Sequence, residues 1–89
     1  MPYYIYCLQS ISNNKKYVGY TDNLKRRFAE HNKKQGNDFT HKNGPWKLIF
    51  YKAFLNKKDA QEQERFYKTG YGREVLKNKL NNYLHSRIV

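Results

Sequence analysis

The run Tyr17 to His31, YVGYTDNLKRRFAEH, constrains the fold most, because an aromatic strand-like segment passes directly into a basic helical one. Gly19 and Thr21-Asp22-Asn23 mark the change: glycine permits a close or unusual backbone, and Thr, Asp or Asn can cap the first free N–H groups of a helix. The pattern predicts a helix from near residue 22. On a wheel of about 100° per residue counted from Leu24, Phe28 falls at roughly 40°, His31 at roughly 340°, Arg27 at roughly 300° and Arg26 at roughly 200°. Arg27 and His31 therefore share the inward side with the apolar residues, and Arg26 points to solvent. Charged groups are seldom buried without a partner. Either Arg27 snorkels from the edge of the stripe and His31 is an edge residue, or both line a cleft where a phosphate binds.

Upstream, residues 3–8 are apolar on both alternating sets, Tyr4, Tyr6 and Leu8 on one side and Tyr3, Ile5 and Cys7 on the other. Such a strand is covered on both faces and so is central. Ser12-Asn13-Asn14-Lys15 signals a turn, which makes Tyr17 to Tyr20 the antiparallel partner. A register with Tyr6 and Tyr17 on one face would bring two phenols together. The first helix is expected to end with Gly36 as its C-cap. In the connection that follows, His41 reads either as a solvated loop histidine or as a substrate contact. Trp46 to Phe54 forms a third strand, rich in aromatic and β-branched residues. Asn56 can cap a second helix with Asp59 in its first turn, whereas Lys57 and Lys58 there oppose the helix dipole and suit a bound polyanion better. Gly70 and Gly72 are expected to end that helix, and a last helix to run from about Arg73 to Leu84. The order β-β-α-β-α-α gives an α+β domain, a small three-stranded antiparallel sheet flanked by helices.

Eighty-nine residues suit one domain, residues 1–89, with a thin core, since a chain this short buries only about 60–65% of its unfolded surface. Eighteen Lys and Arg against seven Asp and Glu leave a net charge of +11, which argues for a polyanionic partner. Nucleic acid precedes a membrane surface, for no apolar or amphipathic run offers an anchor. Cys7 is the single cysteine, so an internal disulfide and a thiolate metal cluster are both excluded. The chain is expected to be soluble and cytoplasmic, with Cys7 a small buried hydrophobe.

In the segment capped by Asn56, counted from Ala60, Glu64 falls at about 40° and Tyr67 at about 340°, while Glu62 falls near 200°. Glu64 thus lies on the packing side. By itself it reads either as a partner of Lys68, four residues on, or as a ligand for a metal ion.

Tyr4-Ile5-Tyr6 and Tyr17-Val18-Gly19, followed by Thr21, Leu24, Arg27 and His31, resemble the two motifs and the helix of the GIY-YIG nuclease family. Tyr4 stands where the first motif has glycine, a position tolerant in the short members. The resemblance covers nearly the whole chain. It is nearest to the short stand-alone bacterial type, which is similar to the N-terminal nuclease module of the bacterial excision-repair endonuclease. It implies a divalent-metal-dependent endonuclease that hydrolyses DNA phosphodiester bonds in repair or processing, with one Mg²⁺ or Mn²⁺ held by Glu64. Tyr6 would activate or orient the attacking water, and Tyr17 would hydrogen-bond the scissile phosphate or that water. Arg27 would stabilise the negative charge of the transition state, and His31 would relay a proton or contact phosphate. Asn78 resembles the family's supporting asparagine, and Lys25, Arg26, His41, Lys57 and Lys58 are the candidates for substrate contact by their charge and position. The five residues Tyr6, Tyr17, Arg27, His31 and Glu64 are accordingly expected to converge on one cleft. The rival reading is a noncatalytic nucleic-acid-binding module of the same fold, which needs Lys and Arg but no inward glutamate. The chain carries no second DNA-reading unit, so specificity would come from DNA structure, from a protein partner or from dimerisation, the chain itself being a monomer or weak dimer.

Overall fold

The computed structural model describes residues 2–33 and 42–86. Strands β1 (Tyr3–Ser10) and β2 (Lys16–Thr21) form a hairpin that leads into helix α1 (Leu24–Asn32). Strand β3 (Trp46–Phe54) follows, then α2 (Lys57–Tyr67), α3 (Gly70–Lys79) and α4 (Asn81–Ser86). All pairings are antiparallel in the order β2-β1-β3, so β1 is central, as its two apolar faces require. The fold is the expected α+β arrangement β-β-α-β-α-α, with the last helix broken into α3 and α4.

Alternation along β1 divides the core into two layers. Ile5 and Cys7, both at 0% exposure, pack with Ala60 and Tyr67 of α2, Leu76 of α3 and Leu80. On the other face Tyr6 and Leu8 pack with Trp46, Tyr17 and the α1 residues Leu24 and Phe28. Each fully buried large side chain contributes about 1.5–3 kcal/mol of transfer free energy, so this one strand anchors both layers.

Local polar contacts fix how the hairpin and α1 sit. The buried Ser10 hydroxyl accepts the N–H groups of Ser12 and Asn13, each at 3.2 Å, and donates to the Asn43 carbonyl at 2.6 Å. Within the same turn Asn14 takes φ 63°, a left-handed conformation that asparagine tolerates better than most residues. Asn23 caps α1 by accepting the Arg26 N–H at 3.0 Å, so the helix begins at Leu24, after the expected start near residue 22. Thr21 is instead buried at the end of β2, its hydroxyl accepting the Asn23 N–H at 3.1 Å. At the other end of α1 the Asn32 amide donates to the Trp46 carbonyl at 3.0 Å and accepts its N–H at 2.7 Å, pinning the helix to the start of β3. Lys33 is the C-cap, ahead of Gly36, which lies outside the described residues.

The glycines near residue 70 do not end a helix as their spacing predicts; they begin one. Thr69 is the N-cap of α3, accepting the Gly72 N–H at 2.9 Å and donating to the Phe66 carbonyl at 2.7 Å, and both glycines sit in the first turn. Gly72 is there because α2 and α3 turn on each other so tightly that a Cβ at 72 would overlap the Phe66 carbonyl. Helix α3 then closes at the buried Leu80, which caps it, and α4 continues beyond. Gly72→Ala should therefore destabilise the fold by about 1–3 kcal/mol, because backbone must move. Gly70→Ala, with open space around the added methyl, should be neutral or stabilising by up to about 1 kcal/mol. Urea unfolding of the two variants measures the difference.

Candidate active site

Tyr6 on β1 lies opposite Gly19 on β2, and Tyr17 lies opposite Leu8, which sets Tyr6 and Tyr17 on the same sheet face. The Tyr6 ring crosses β2 where Gly19 has no side chain; a Cβ there would overlap the Tyr6 hydroxyl. This close approach explains the glycine. Gly19 does not mark the strand-to-helix change that its neighbours in sequence suggest, for it is inside the strand, and among the described residues no glycine has positive φ.

Across the strand the Tyr6 hydroxyl hydrogen-bonds Nε2 of His31 at 2.8 Å. The Tyr17 ring closes the cluster, with its centroid 5.2 Å from that of His31 and 6.5 Å from that of Tyr6. His31 is the one buried residue of α1, at 2% exposure, and its Nδ1 has no hydrogen-bond partner among the described residues. Arg27, one turn earlier, faces the same group at 30% side-chain exposure and donates to Glu30 Oε1 at 3.1 Å. Arg26 is 59% exposed and pairs outward with Asp22 at 3.4 Å and with Glu30 at 3.8 Å. The adjacent arginines share Glu30 but differ in exposure, with Arg27 half-buried beside the Tyr6 group and Arg26 turned out to Asp22.

Burial pushes the Tyr6 phenol up to about 12, opposed by the nearby Arg27 guanidinium and reinforced by Tyr17 and Glu64. Burial and the Arg27 charge press His31 down to about 4 against a smaller upward pull from Glu30. Both members of the Tyr6–His31 pair are therefore neutral near pH 7. Burial tends to weaken the Arg27 charge, yet Glu30 and the two phenols raise its pKa on balance, and the cation persists.

Glu64 reaches this group from an unexpected direction. Its helix α2 packs on the Ile5–Cys7 layer, across the sheet from α1. Lys68 donates to Glu64 Oε2 at 3.1 Å and carries its ammonium 5.7 Å from the Tyr17 ring centroid, so the two sides meet around the exposed edge of β2. The Glu64 charge is one of those felt by Tyr6. Both readings of Glu64 thus have a footing, since it pairs with Lys68 and also borders the Tyr6 cluster, at 23% side-chain exposure.

The remaining sequence candidates lie apart. Lys25 is exposed on α1, Lys57 and Lys58 are exposed at the start of α2, and Asn78 is exposed on α3; His41 lies outside the described residues. Two contributions escape the sequence reading, in which Lys68 is a helix partner of Glu64 and Gly19 belongs to the second motif and to a strand-to-helix change, with no link to the Tyr6 ring. The signal for Lys68 is its i,i+4 spacing, and that for Gly19 its place opposite a large aromatic residue.

As a metal site Glu64 offers one hard carboxylate. No group of three or more His, Cys, Asp or Glu side chains able to hold an ion occurs among the described residues. A donor set of one oxygen fits Mg²⁺ or Mn²⁺, which keeps waters and completes its shell with phosphate oxygens, and does not fit zinc.

Comparison with known proteins places the chain in a family. The GIY-YIG catalytic domain matches residues 2–81. A UPF0213 protein of Pediococcus acidilactici is 44% identical over 68 residues, 74% of this chain and 69% of the relative. One from Clostridium perfringens is 37% identical over 65 residues, 73% of this chain and 69% of the relative. The solution structure of a UPF0213 protein from Bacillus halodurans superposes with a TM-score of 0.53 at 31% identity, covering 85% of this chain and 82% of that one. The chain belongs to the GIY-YIG family, a family of nucleases, and is of the short type to which its UPF0213 relatives also belong. No helix among the described residues is long and apolar enough to cross a membrane.

The depressed His31 predicts a pH signature. The folded state keeps the imidazole neutral while the unfolded chain protonates it below about 6.5. The stability linked to His31 is full above that pH and is lost as pH falls towards about 4. Its size is at most about 3 kcal/mol. Urea midpoints should fall across this window in the parent, and His31→Asn should flatten that part of the profile.

Proposed function

We propose that the protein is a metal-dependent endonuclease that hydrolyses DNA phosphodiester bonds at the Tyr6–Tyr17–Arg27–His31 cluster, with Glu64 as the metal ligand. The observation that carries this reading is the company kept by Tyr6: a buried phenol hydrogen-bonded to a neutral imidazole, with a guanidinium and a carboxylate both close enough to shift its ionisation. Sheet packing alone calls for none of these polar neighbours.

When the Tyr6 hydroxyl donates to His31 Nε2, the phenol oxygen keeps lone pairs that can accept a hydrogen bond from water and orient it for attack. With its pKa near 12 the phenol is not ionised by itself at neutral pH, so it acts first as a positioning group. The neutral His31 fixes the direction of that hydroxyl by accepting its hydrogen bond at Nε2. Arg27 is the fixed cation on this face and would meet the charge that develops on the phosphate oxygens, typically the largest single contribution to such catalysis. Tyr17, against His31, would contact the phosphate or the water. A bound Mg²⁺ or Mn²⁺ would supply Lewis-acid polarisation of a phosphate oxygen. Glu64 would hold it through its carboxylate, whose Oε2 accepts from Lys68.

The Lys68 ammonium on Glu64 Oε2 favours the second reading, a noncatalytic binding module, because it already neutralises the carboxylate. The exposed pair itself is worth only about 0–1 kcal/mol, so an ion and a phosphate can displace it.

Cleavage assays on supercoiled, linear, single-stranded and branched DNA, with Mg²⁺, Mn²⁺ or EDTA, separate the two. The parent should cut only with metal. Glu64→Ala should lose cleavage by on the order of a hundredfold or more while binding DNA at least as well, since a negative charge near phosphate is removed. Arg27→Ala should lose cleavage similarly, and Arg26→Ala should lose mainly affinity. A Glu64→Ala protein that cuts like the parent would sink the metal assignment. A parent that cuts none of the DNAs would favour the binding module.

The +11 charge sets a further expectation. Affinity for DNA should fall steeply between low and physiological salt, as counterion release dictates. A titration in which the apparent Kd ignores salt would contradict it.

A further inference from the structure

Beside the Tyr6 cluster, on the outer edge of β2, a cleft of about 630 Å³ opens between the hairpin turn and the α2–α3 corner. Lys15 and Lys16 stand on the hairpin side, and Lys68, Arg73 and Lys77 on the helical side. Glu74 is the one carboxylate among the described lining residues. None of these cations is among those the sequence singles out for substrate, which lie elsewhere on α1 and at the start of α2. The floor is apolar and aromatic, made by Tyr17, Val18, Tyr67 and Leu76.

The cleft is continuous with the candidate active site. Tyr17 belongs both to its lining and to the ring cluster around His31, and Lys68 bridges from the lining to Glu64. Facing walls of positive charge over an aromatic floor match the two parts of a nucleotide, its phosphate and the flat face of its base. The volume lies in the range of small-molecule sites, about 300–1,000 Å³, which admits a nucleotide or two and no double helix. A duplex is too wide to enter and would leave both the walls and the floor unused.

From this we infer that the β2-edge cleft seats an unpaired stretch of the substrate strand next to the bond to be cut, making the protein selective for single-stranded or branched nucleic acid. The inference deepens the nuclease reading of the same site and rests on it for the words "substrate" and "cut".

The test is binding, in EDTA so that no cleavage occurs, of a single-stranded oligonucleotide, a forked duplex and a blunt duplex of matched sequence, followed by fluorescence anisotropy. Arg73→Ala/Lys77→Ala removes two exposed charges from one wall, Lys15→Ala/Lys16→Ala two from the other, and Lys52→Ala, exposed on β3, is the control for lost charge. Each wall variant should weaken single-stranded and forked binding on the order of tenfold and reduce the single-strand salt slope by about 1.4, roughly 0.7 for each phosphate no longer neutralised. Blunt-duplex binding should change no more than in Lys52→Ala. Glu74→Gln should tighten single-stranded binding.

Equal losses on all three nucleic acids would overturn the inference, leaving a general phosphate-binding surface, and so would wall variants that bind like the control. A parent that binds none of the three would overturn it as well. Because these measurements need no metal and no turnover, their failure is distinct from that of the nuclease reading, which falls only if the parent cuts nothing with metal present.

Discussion

The hydrogen bond between Tyr6 and His31 depends on, and organises, much of the molecule around it. For the phenol to reach the imidazole, its ring must pass over β2, and Gly19 leaves that path open. His31 must be held at the inner face of α1, which the Asn23 cap at one end and the Asn32–Trp46 pair at the other secure. The bond itself is between neutral partners, and such a bond contributes only about 0.5–1.5 kcal/mol net. Its importance lies elsewhere. Burying a phenol and an imidazole with no partner would cost more than the bond returns, so the cap, the glycine and the register are all constrained by it.

Electrostatics within the cluster follow from where each charge sits. Arg27 is the cation that both lowers Tyr6 and presses His31 down, so one guanidinium biases the two neutral groups in opposite chemical senses. Glu30 keeps Arg27 paired on its outward side, and Glu64 acts from beyond the β2 edge. The phenols, imidazole and guanidinium therefore lie on one side of the sheet and the Glu64 carboxylate on the other, near the β2 edge. An open edge of this kind leaves room for a polymer to pass, as a closed pocket would not.

Much of the layout is legible along the chain. The double apolar alternation of residues 3–8 places β1 at the centre of the sheet, because a strand with two apolar faces must be covered twice. Asn56 is readable as a cap, and its side chain accepts the N–H groups of Lys58 and Asp59. The helical wheel separates Arg27 from Arg26 and puts Glu64 on the packing side, since a 3.6-residue period fixes which side chains share a face whatever lies opposite. The family resemblance carried by the two tyrosine motifs agrees with the domain that matches residues 2–81.

By itself, then, the sequence determined the three strands, the first two helices, their order and the face their side chains take, for these follow from periodicity and capping within a few residues. Tertiary structure alone decided what happens where distant segments touch. Gly19 is required by a phenol from another strand, and Gly72 by a carbonyl from the preceding helix, so neither reason is present in the local sequence. The break at Leu80, where a continuous stripe becomes α3 and α4, likewise follows from burial of that leucine against the β1 layer. Most of all, helix-face arguments could say that Glu64 points inward but not around which edge of the sheet it arrives, because that depends on how α2 crosses β2 and on Lys68 spanning the gap to Tyr17.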